Sequence, residues 1–203
     1  MRTKILLLFV LALPINILAQ NPTIVETFDD KVSLDWQEYA DKKASALIQN
    51  GFLELQCKEK GKAATVQVEL PISVEHDFKL YSKIMVHKIN DENRFGIIID
   101  MDENFNKCLF LLKESLFSCH IYNDGKMVSG DERPIKLKGG KNQVVDIILE
   151  RRGNKYIFYM NNMKIYEFRR NLTSPVFGFY TENESSISID EFKMEQEYSG
   201  TDN

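Results

Sequence analysis

Apolar and polar residues alternate with a period of two over most of this chain. Thr65-Val66-Gln67-Val68-Glu69-Leu70 is the plainest case and stops at Pro71. Phe78, Leu80, Ile84 and Val86 fall on one face of the next run, with Lys79, Tyr81, Lys83 and His87 on the other. Phe95, Ile97, Ile99 and Met101 form an apolar row opposite Arg94, Gly96, Ile98 and Asp100. Val145, Ile147 and Leu149 form another, opposite Asp146 and Glu150. Successive side chains of a strand point to opposite faces, so such rows mark half-buried strands of antiparallel sheets. No stretch carries a good helical period. Asn50-Gly51, Asn123-Asp124-Gly125, Gly139-Gly140, Gly153-Asn154 and Asn161-Asn162 punctuate the runs. Asn and Gly tolerate the positive φ that tight hairpin turns require. About a dozen strands in one chain predict an all-β, two-sheet antiparallel sandwich, which buries one face of each sheet.

The same periodicity predicts registers. About Asn161-Asn162, Met160 faces Met163 and Phe158 faces Ile165. Lys107–Leu112 and Ser115–Tyr122 read as a hairpin about Lys113-Glu114, in which Leu112 faces Ser115 and Cys108 faces Cys119. That pairing leaves two outcomes open, a cross-strand disulfide or two buried free thiols, with Cys57 odd in either case. Ile187 and Ile189 share one parity, Phe192 and Met194 the other. All four point inward only if one extra residue, a β-bulge, sits at Asp190-Glu191.

The N-terminus departs from this pattern. Arg2 and Lys4 precede the apolar run Ile5–Leu13, Pro14 breaks it, and Ile17-Leu18-Ala19 offers a small residue before a cut. This is the layout of a secretory signal peptide over 1–19, and the run is short of the roughly 20 residues of a spanning helix. No cysteine follows the cut to take a lipid, so the expected location is secreted or periplasmic, without a transmembrane anchor. Residues 20–197 then form a single β-sandwich domain, and 198–203 a frayed tail. The chain has 203 residues and a formal charge of −4. A net acidic chain argues against nucleic acid, which is bound through a basic face.

Several segments resemble the concanavalin A-like lectin and glucanase jelly rolls, the group that holds laminin-G-like modules and 3-keto-disaccharide hydrolase-like domains. Phe28-Asp29-Asp30 followed by Trp36 looks like their first strand, and Asn50-Gly51-Phe52-Leu53 like the next. Asn93-Arg94-Phe95-Gly96-Ile97-Ile98-Ile99-Asp100 resembles the central strand, and Tyr156–Asn162 the late hairpin. Phe177-Gly178-Phe179-Tyr180 with Ile187–Phe192 looks like the closing pair. The resemblance implies the jelly-roll fold and is poor at specifying an activity.

Candidate chemistry is sparse. Glucanases of this fold carry Glu-x-Asp-x-x-Glu on one strand, which aims acids into the cleft, and that motif is absent. Asp100 and Asp102 come nearest, at positions that share a strand face. Asp100-x-Asp102-x-Asn104-x-Asn106 also spaces oxygen ligands as calcium favours, although Phe105 and Leu111 stand where an EF-hand needs Gly and Glu. Calcium on Asp100, Asp102 and Asn104 is thus the one cofactor the sequence suggests; the alternative is a solvated turn. His76, His87 and His120 lack metal-ligand spacing. No Gly-x-Ser-x-Gly is present, and Cys119 and His120 point to opposite faces. Sugar binding asks less: aromatic platforms ringed by hydrogen-bonding groups. Tyr81, His87, Arg94, Asp100, His120 and Tyr122 lie opposite the apolar rows, with Trp36 and Tyr180 as further aromatics. If their strands are neighbours, they form one mixed ligand-binding surface. The leading expectation is a non-catalytic carbohydrate-binding or surface-interaction module with a glycan or polysaccharide partner. A glycoside-acting hydrolase and a structural accessory protein without a small ligand are the alternatives. Asn183-Glu184-Ser185 fits an N-glycosylation sequon.

Overall fold

The computed structural model describes residues 23–29, 32–171 and 173–197. The expected signal peptide over 1–19 and the expected frayed tail 198–203 lie outside the described residues, within which there are fifteen strands and no helix. The larger sheet contains β1 (Thr23–Glu26), β2 (Tyr39–Ala40), β3 (Ala44–Gln49), β4 (Phe52–Cys57) and β6 (Asp77–Val86). β11 (Gln143–Arg152), β12 (Lys155–Met160), β13 (Met163–Arg169) and β15 (Ser186–Glu197) complete it. The smaller sheet holds β5 (Ala63–Glu69), β7 (Phe95–Ile99), β8 (Lys107–Leu112), β9 (Leu116–Asn123), β10 (Lys126–Pro134) and β14 (Val176–Glu182). Strand order is β13-β12-β11-β6-β15-β4-β3-β2 in the larger sheet, with β1 beside β15, and β10-β9-β8-β7-β14-β5 in the smaller. The alternation in the sequence therefore builds the antiparallel sandwich it predicts.

The inward rows meet as one core. Trp36 stacks on Phe179 of the smaller sheet at 5.6 Å and 22°, and takes the edges of Phe28 and of Phe192 from the larger sheet. Toward the other end, Phe110 of β8 stacks on Phe158 of β12 at 5.4 Å and 5°. Phe117 of β9 meets the same ring at 5.1 Å. Each such side chain contributes about 1.5–3 kcal/mol by leaving water, and each ring pair about 0.5–1.5 kcal/mol more. Phe28 and Trp36 reach this core from an irregular segment rather than from the expected first strand. That segment is pinned by buried Glu26, whose carboxylate accepts hydrogen bonds from Ser33 N, Ser33 Oγ and Leu34 N.

Registers were partly as expected. β15 pairs with β4 through Ser186–Ile189 and with β1 through Phe192–Glu195, and its pairing with β6 shifts between Ile189 and Glu191. The bulge at Asp190 thus brings Ile187, Ile189, Phe192 and Met194 all inward, where they are buried. Met160 does face Met163, but a shift between Phe158 and Tyr159 sets Phe158 against Tyr166 instead of Ile165. In the β8–β9 hairpin Leu112 faces Phe117, so Cys108 meets Ile121 and Cys119 meets Phe110. The turn is moved because Asp91 accepts from Ser115 N and Oγ, while Glu114 N donates to Asn90 O. The cysteines are consequently diagonal, and Cys57, Cys108 and Cys119 are all free and buried. Burial pushes the Cys108 thiol up to about 12 and raises Cys119 as well.

Two glycines let the smaller sheet close up. A Cβ at Gly96 would run into the Phe110 carbonyl oxygen, and one at Gly178 into that of Val66. Gly96→Ala is expected to cost about 1–3 kcal/mol by overpacking, lowering the melting temperature by roughly 2–4 °C per kcal/mol in a chain of this size. Calorimetry checks this. Thiol titration should find three reactive groups after non-reducing unfolding and almost none in the native protein, since the thiolate is the reactive form. A count of one in the unfolded chain would show that two of the thiols have been joined.

Candidate functional site

The most developed cluster of side chains lies on the outer face of the smaller sheet. Register sets His120 against Leu109, Leu109 against Ile98, and Ile98 against Gly178 across four adjacent strands. The next row runs Ser118, Leu111, Gly96 and Tyr180. Ile98, Leu109 and Leu111 are buried as a small apolar cluster separate from the main core, with Met101, Tyr122 and Tyr180 packed against them. The two central strands β7 and β8 thus carry apolar side chains on both faces, and the outer ones form a floor.

Polar groups are fixed above that floor. Arg94 donates to Glu182 twice, Nε to Oε1 at 2.6 Å and Nη2 to Oε2 at 3.1 Å. Such a forked pair holds both planes in one orientation. Tyr180 donates its hydroxyl to Glu182 Oε2 at 2.5 Å. Burial, then the Glu182 carboxylate, raises the Tyr180 phenol, so its O–H remains a donor. Glu182 in turn holds the Arg94 guanidinium above its ordinary range. The Lys107 ammonium sits 5.2 Å from the centroid of the Tyr122 ring, a cation–π contact. His120 is half-buried, and desolvation, followed by the Arg94 charge, depresses its imidazole. The result is two half-buried tyrosines, seated on a dry floor and edged by donors and acceptors of both signs.

The eight residues singled out from the sequence do not form one surface. Arg94, His120, Tyr122 and Tyr180 come together here. Tyr81 and His87 lie on the opposite outer face, because β6 belongs to the larger sheet. There Tyr81 donates to Asp146 Oδ1 at 3.2 Å, and burial and that carboxylate push its phenol up to about 12. Trp36 is a core residue, 5 % exposed, and offers no platform. Asp100 is fully buried: a positive φ of 60° takes it out of strand alternation. Its Oδ2 accepts from Arg170 Nε at 2.8 Å, and its Oδ1 from Thr173 N, Thr173 Oγ1 and Ser174 N at 2.7, 2.8 and 3.0 Å. Asp100 is therefore a structural clamp, not an accessible acid. Asp102 caps its own turn, accepting from Asn104 N, Asn106 N and Asn106 Nδ2, and the Asn106 side chain draws its carboxyl below the ordinary range. Asp100 and Asp102 do not converge, and no cluster of three or more His, Cys, Asp or Glu suited to a metal occurs among the described residues. The Asn183 carboxamide is taken up by Gly61 N and Glu92 O, each at 2.8 Å, so its sequon serves a turn.

Glu182 and Lys107 were not recognised from the sequence. Their signal was present: each continues the outward parity of Tyr180 or of Leu109. What hid them was the lack of any rule, within one strand, for which other strands stand beside it.

No family model matches the chain, and no curated protein matches it. Solved structures do. The carbohydrate-binding module CBM66 from Bacillus subtilis aligns at a TM-score of 0.55 and 12% identity, over 79% of this chain and 94% of that one. A Bacillus licheniformis beta-glucanase aligns at 0.63 and 7% identity, over 87% and 98%. The Crh5 transglycosylase aligns at 0.63 and 9% identity, over 87% and 85%. The fold is the concanavalin A-like jelly roll. At these identities the likeness carries the architecture, and the outer faces of this jelly roll must be judged by their own side chains.

Two outcomes follow for this region. His120, depressed in the fold, stays neutral while the unfolded chain protonates near pH 6.5. Its contribution to stability is thus complete above about pH 6.5 and is lost as pH falls through the window below it. Urea unfolding from pH 8 to 5 should show a steeper decline for the wild type than for His120→Gln. Asp100→Asn should cost about 3 kcal/mol, because an amide cannot accept from both Arg170 and the Thr173–Ser174 amides. Denaturant midpoints measure this loss.

Proposed function

We propose that this chain is an exported glycan-binding module whose ligand lies on the outer face of the smaller sheet. The observation that carries this reading is the pair of half-buried tyrosines, Tyr122 and Tyr180, set on the Ile98–Leu109–Leu111 floor and edged by Arg94, Glu182, Lys107 and His120. A sugar ring presents an apolar C–H face and a rim of hydroxyls. An aromatic platform buries the first, and fixed charged donors and acceptors take the second. Holding Tyr180 and Arg94 in place through Glu182 reduces the entropy lost on binding. The likeness to a carbohydrate-binding module, a glucanase and a transglycosylase supports a glycan-related role. The N-terminal pattern of basic start, apolar run and small residue supports export.

Binding is favoured over hydrolysis by what stands on this face. Hydrolysis needs two carboxyl groups about 5–9.5 Å apart. The outward positions of β8 are Lys107, Leu109 and Leu111, and both oxygens of Glu182 are engaged by Arg94 and Tyr180. Glu132 of β10 pairs with Ser118, four strands from β14. At about 4.8 Å per strand it lies too far from Glu182 to act with it.

A glycan array and polysaccharide pull-down with the chain lacking residues 1–19 test the proposal. Tyr122→Ala and Tyr180→Ala should each weaken retention about tenfold, the equivalent of one aromatic contact. Tyr81→Ala, on the opposite face, should leave it unchanged. Failure to retain any glycan would overturn the reading in favour of a structural accessory role. Release of reducing sugar from a retained polysaccharide would replace it with hydrolysis.

A further inference from the structure

The outer face of the larger sheet holds a second, unrelated constellation. Ser188 Oγ lies 2.8 Å from His87 Nε2, and His87 Nδ1 lies 3.1 Å from Asn142 Oδ1. Three separate elements deliver them. Ser188 is on β15 at the centre of the sheet, where it pairs with Met85 and Glu54. His87 follows β6 directly, anchored by its own N–H to Ser186 O and by Asn142 N–H to its carbonyl. Asn142 precedes β11 in the left-handed backbone region, φ 51°, which asparagine tolerates and which turns its side chain back toward the imidazole. The Asn142 oxygen can only accept, so it sets the proton on Nδ1 and leaves the Nε2 lone pair facing the serine hydroxyl. A nucleophile in hydrogen-bond reach of a base that a third group orients is the recurring arrangement of acyl-transfer sites.

Ser188 is 3 % exposed and forms part of the floor of an open groove of about 490 Å³. Ser45, Glu54, Gln56, Lys58 and Ser186 also line it. Glu54, directly across from Ser188, is held by Gln49 Nε2 at 2.6 Å. Gln56 is paired with Ser186 and so stands diagonal to Ser188, one strand away.

We propose that Ser188, His87 and Asn142 form a nucleophilic site for short-chain carboxylic esters. Ser188 Oγ bonds to the ester carbonyl carbon as its proton passes to His87 Nε2. The tetrahedral adduct collapses by breaking the carbon–oxygen bond to the alcohol, which leaves with that proton. Water then adds to the acyl-serine, gives a proton to Nε2, and the carboxylic acid departs as Ser188 Oγ recovers it. Gln56, which lines the same groove, supplies a carboxamide donor for the oxyanion. Asn142 is a positioning residue. This site is on the face opposite the tyrosines, so it stands or falls independently of glycan binding.

The test uses the full chain with a fluorophosphonate probe and with p-nitrophenyl acetate. Peptide mass spectrometry of the wild type should find the phosphonyl adduct on Ser188, and this result needs no variant. Ser188→Ala should abolish both adduct and ester turnover, and His87→Gln should lower turnover by about 10²–10⁴-fold, the usual worth of a general base. Asn142→Ala should reduce turnover while Asn142→Asp restores it, a rescue that a merely structural side chain would not give. Absence of an adduct on Ser188, or turnover undiminished in Ser188→Ala, would overturn the proposal.

Discussion

The structure depends on the contact between two inward-facing layers of rings. Phe177 and Phe179 from one sheet and Phe192 from the other meet around Trp36, while Phe110 and Phe117 meet Phe158 and Tyr166 farther along. Rings of this size fill the gap of about 10 Å between packed sheets. Because strand side chains alternate, seating these rings inward commits every neighbouring residue to one of two outer faces. Chemistry can then stand only on those faces or at the loop ends.

The two faces have acquired different characters. That of the smaller sheet has a second apolar layer, Ile98, Leu109 and Leu111, over which Arg94, Glu182 and Tyr180 form a closed hydrogen-bonded group. Closed groups of this kind keep side chains in place before a ligand arrives. That of the larger sheet is polar at its centre, with Ser186, Ser188 and His87 along a groove beside β4. The loop after β13 is joined to the end of β7 by the Asp100–Arg170 pair, buried on the acid side. This clamp bridges the two sheets at their rim, since β13 belongs to one and β7 to the other.

Much of this was legible in the chain itself. The alternating rows of Phe78–Val86, Phe95–Ile99 and Val145–Leu149 gave strands with the inward faces they were assigned, and the parity change after Ile189 gave the bulge. Met101, expected in the inward row, packs on the outer cluster instead, because the positive φ of Asp100 breaks the alternation before it. The hairpin at Cys108–Cys119 was misplaced because side-chain acceptors distant in sequence, above all Asp91, chose Glu114 and Ser115 as the turn. Asp100 and Trp36 were misjudged for a related reason. A buried carboxylate satisfied by Arg170, Thr173 and Ser174 looks, in one dimension, like an exposed acid. A tryptophan in an irregular segment has no periodicity to reveal which way it points.

Period-two patterning is a local property, so the sequence by itself determined the all-β class, most strand positions, and which side of each strand is apolar. Strand adjacency is not local. Only the tertiary structure decided that β6 lies beside β15 and not beside β7, and so separated Tyr81 and His87 from Arg94, His120, Tyr122 and Tyr180. The physical reason is that pairing partners are selected by the summed burial and hydrogen bonding of both sheets together, a quantity that no single strand contains.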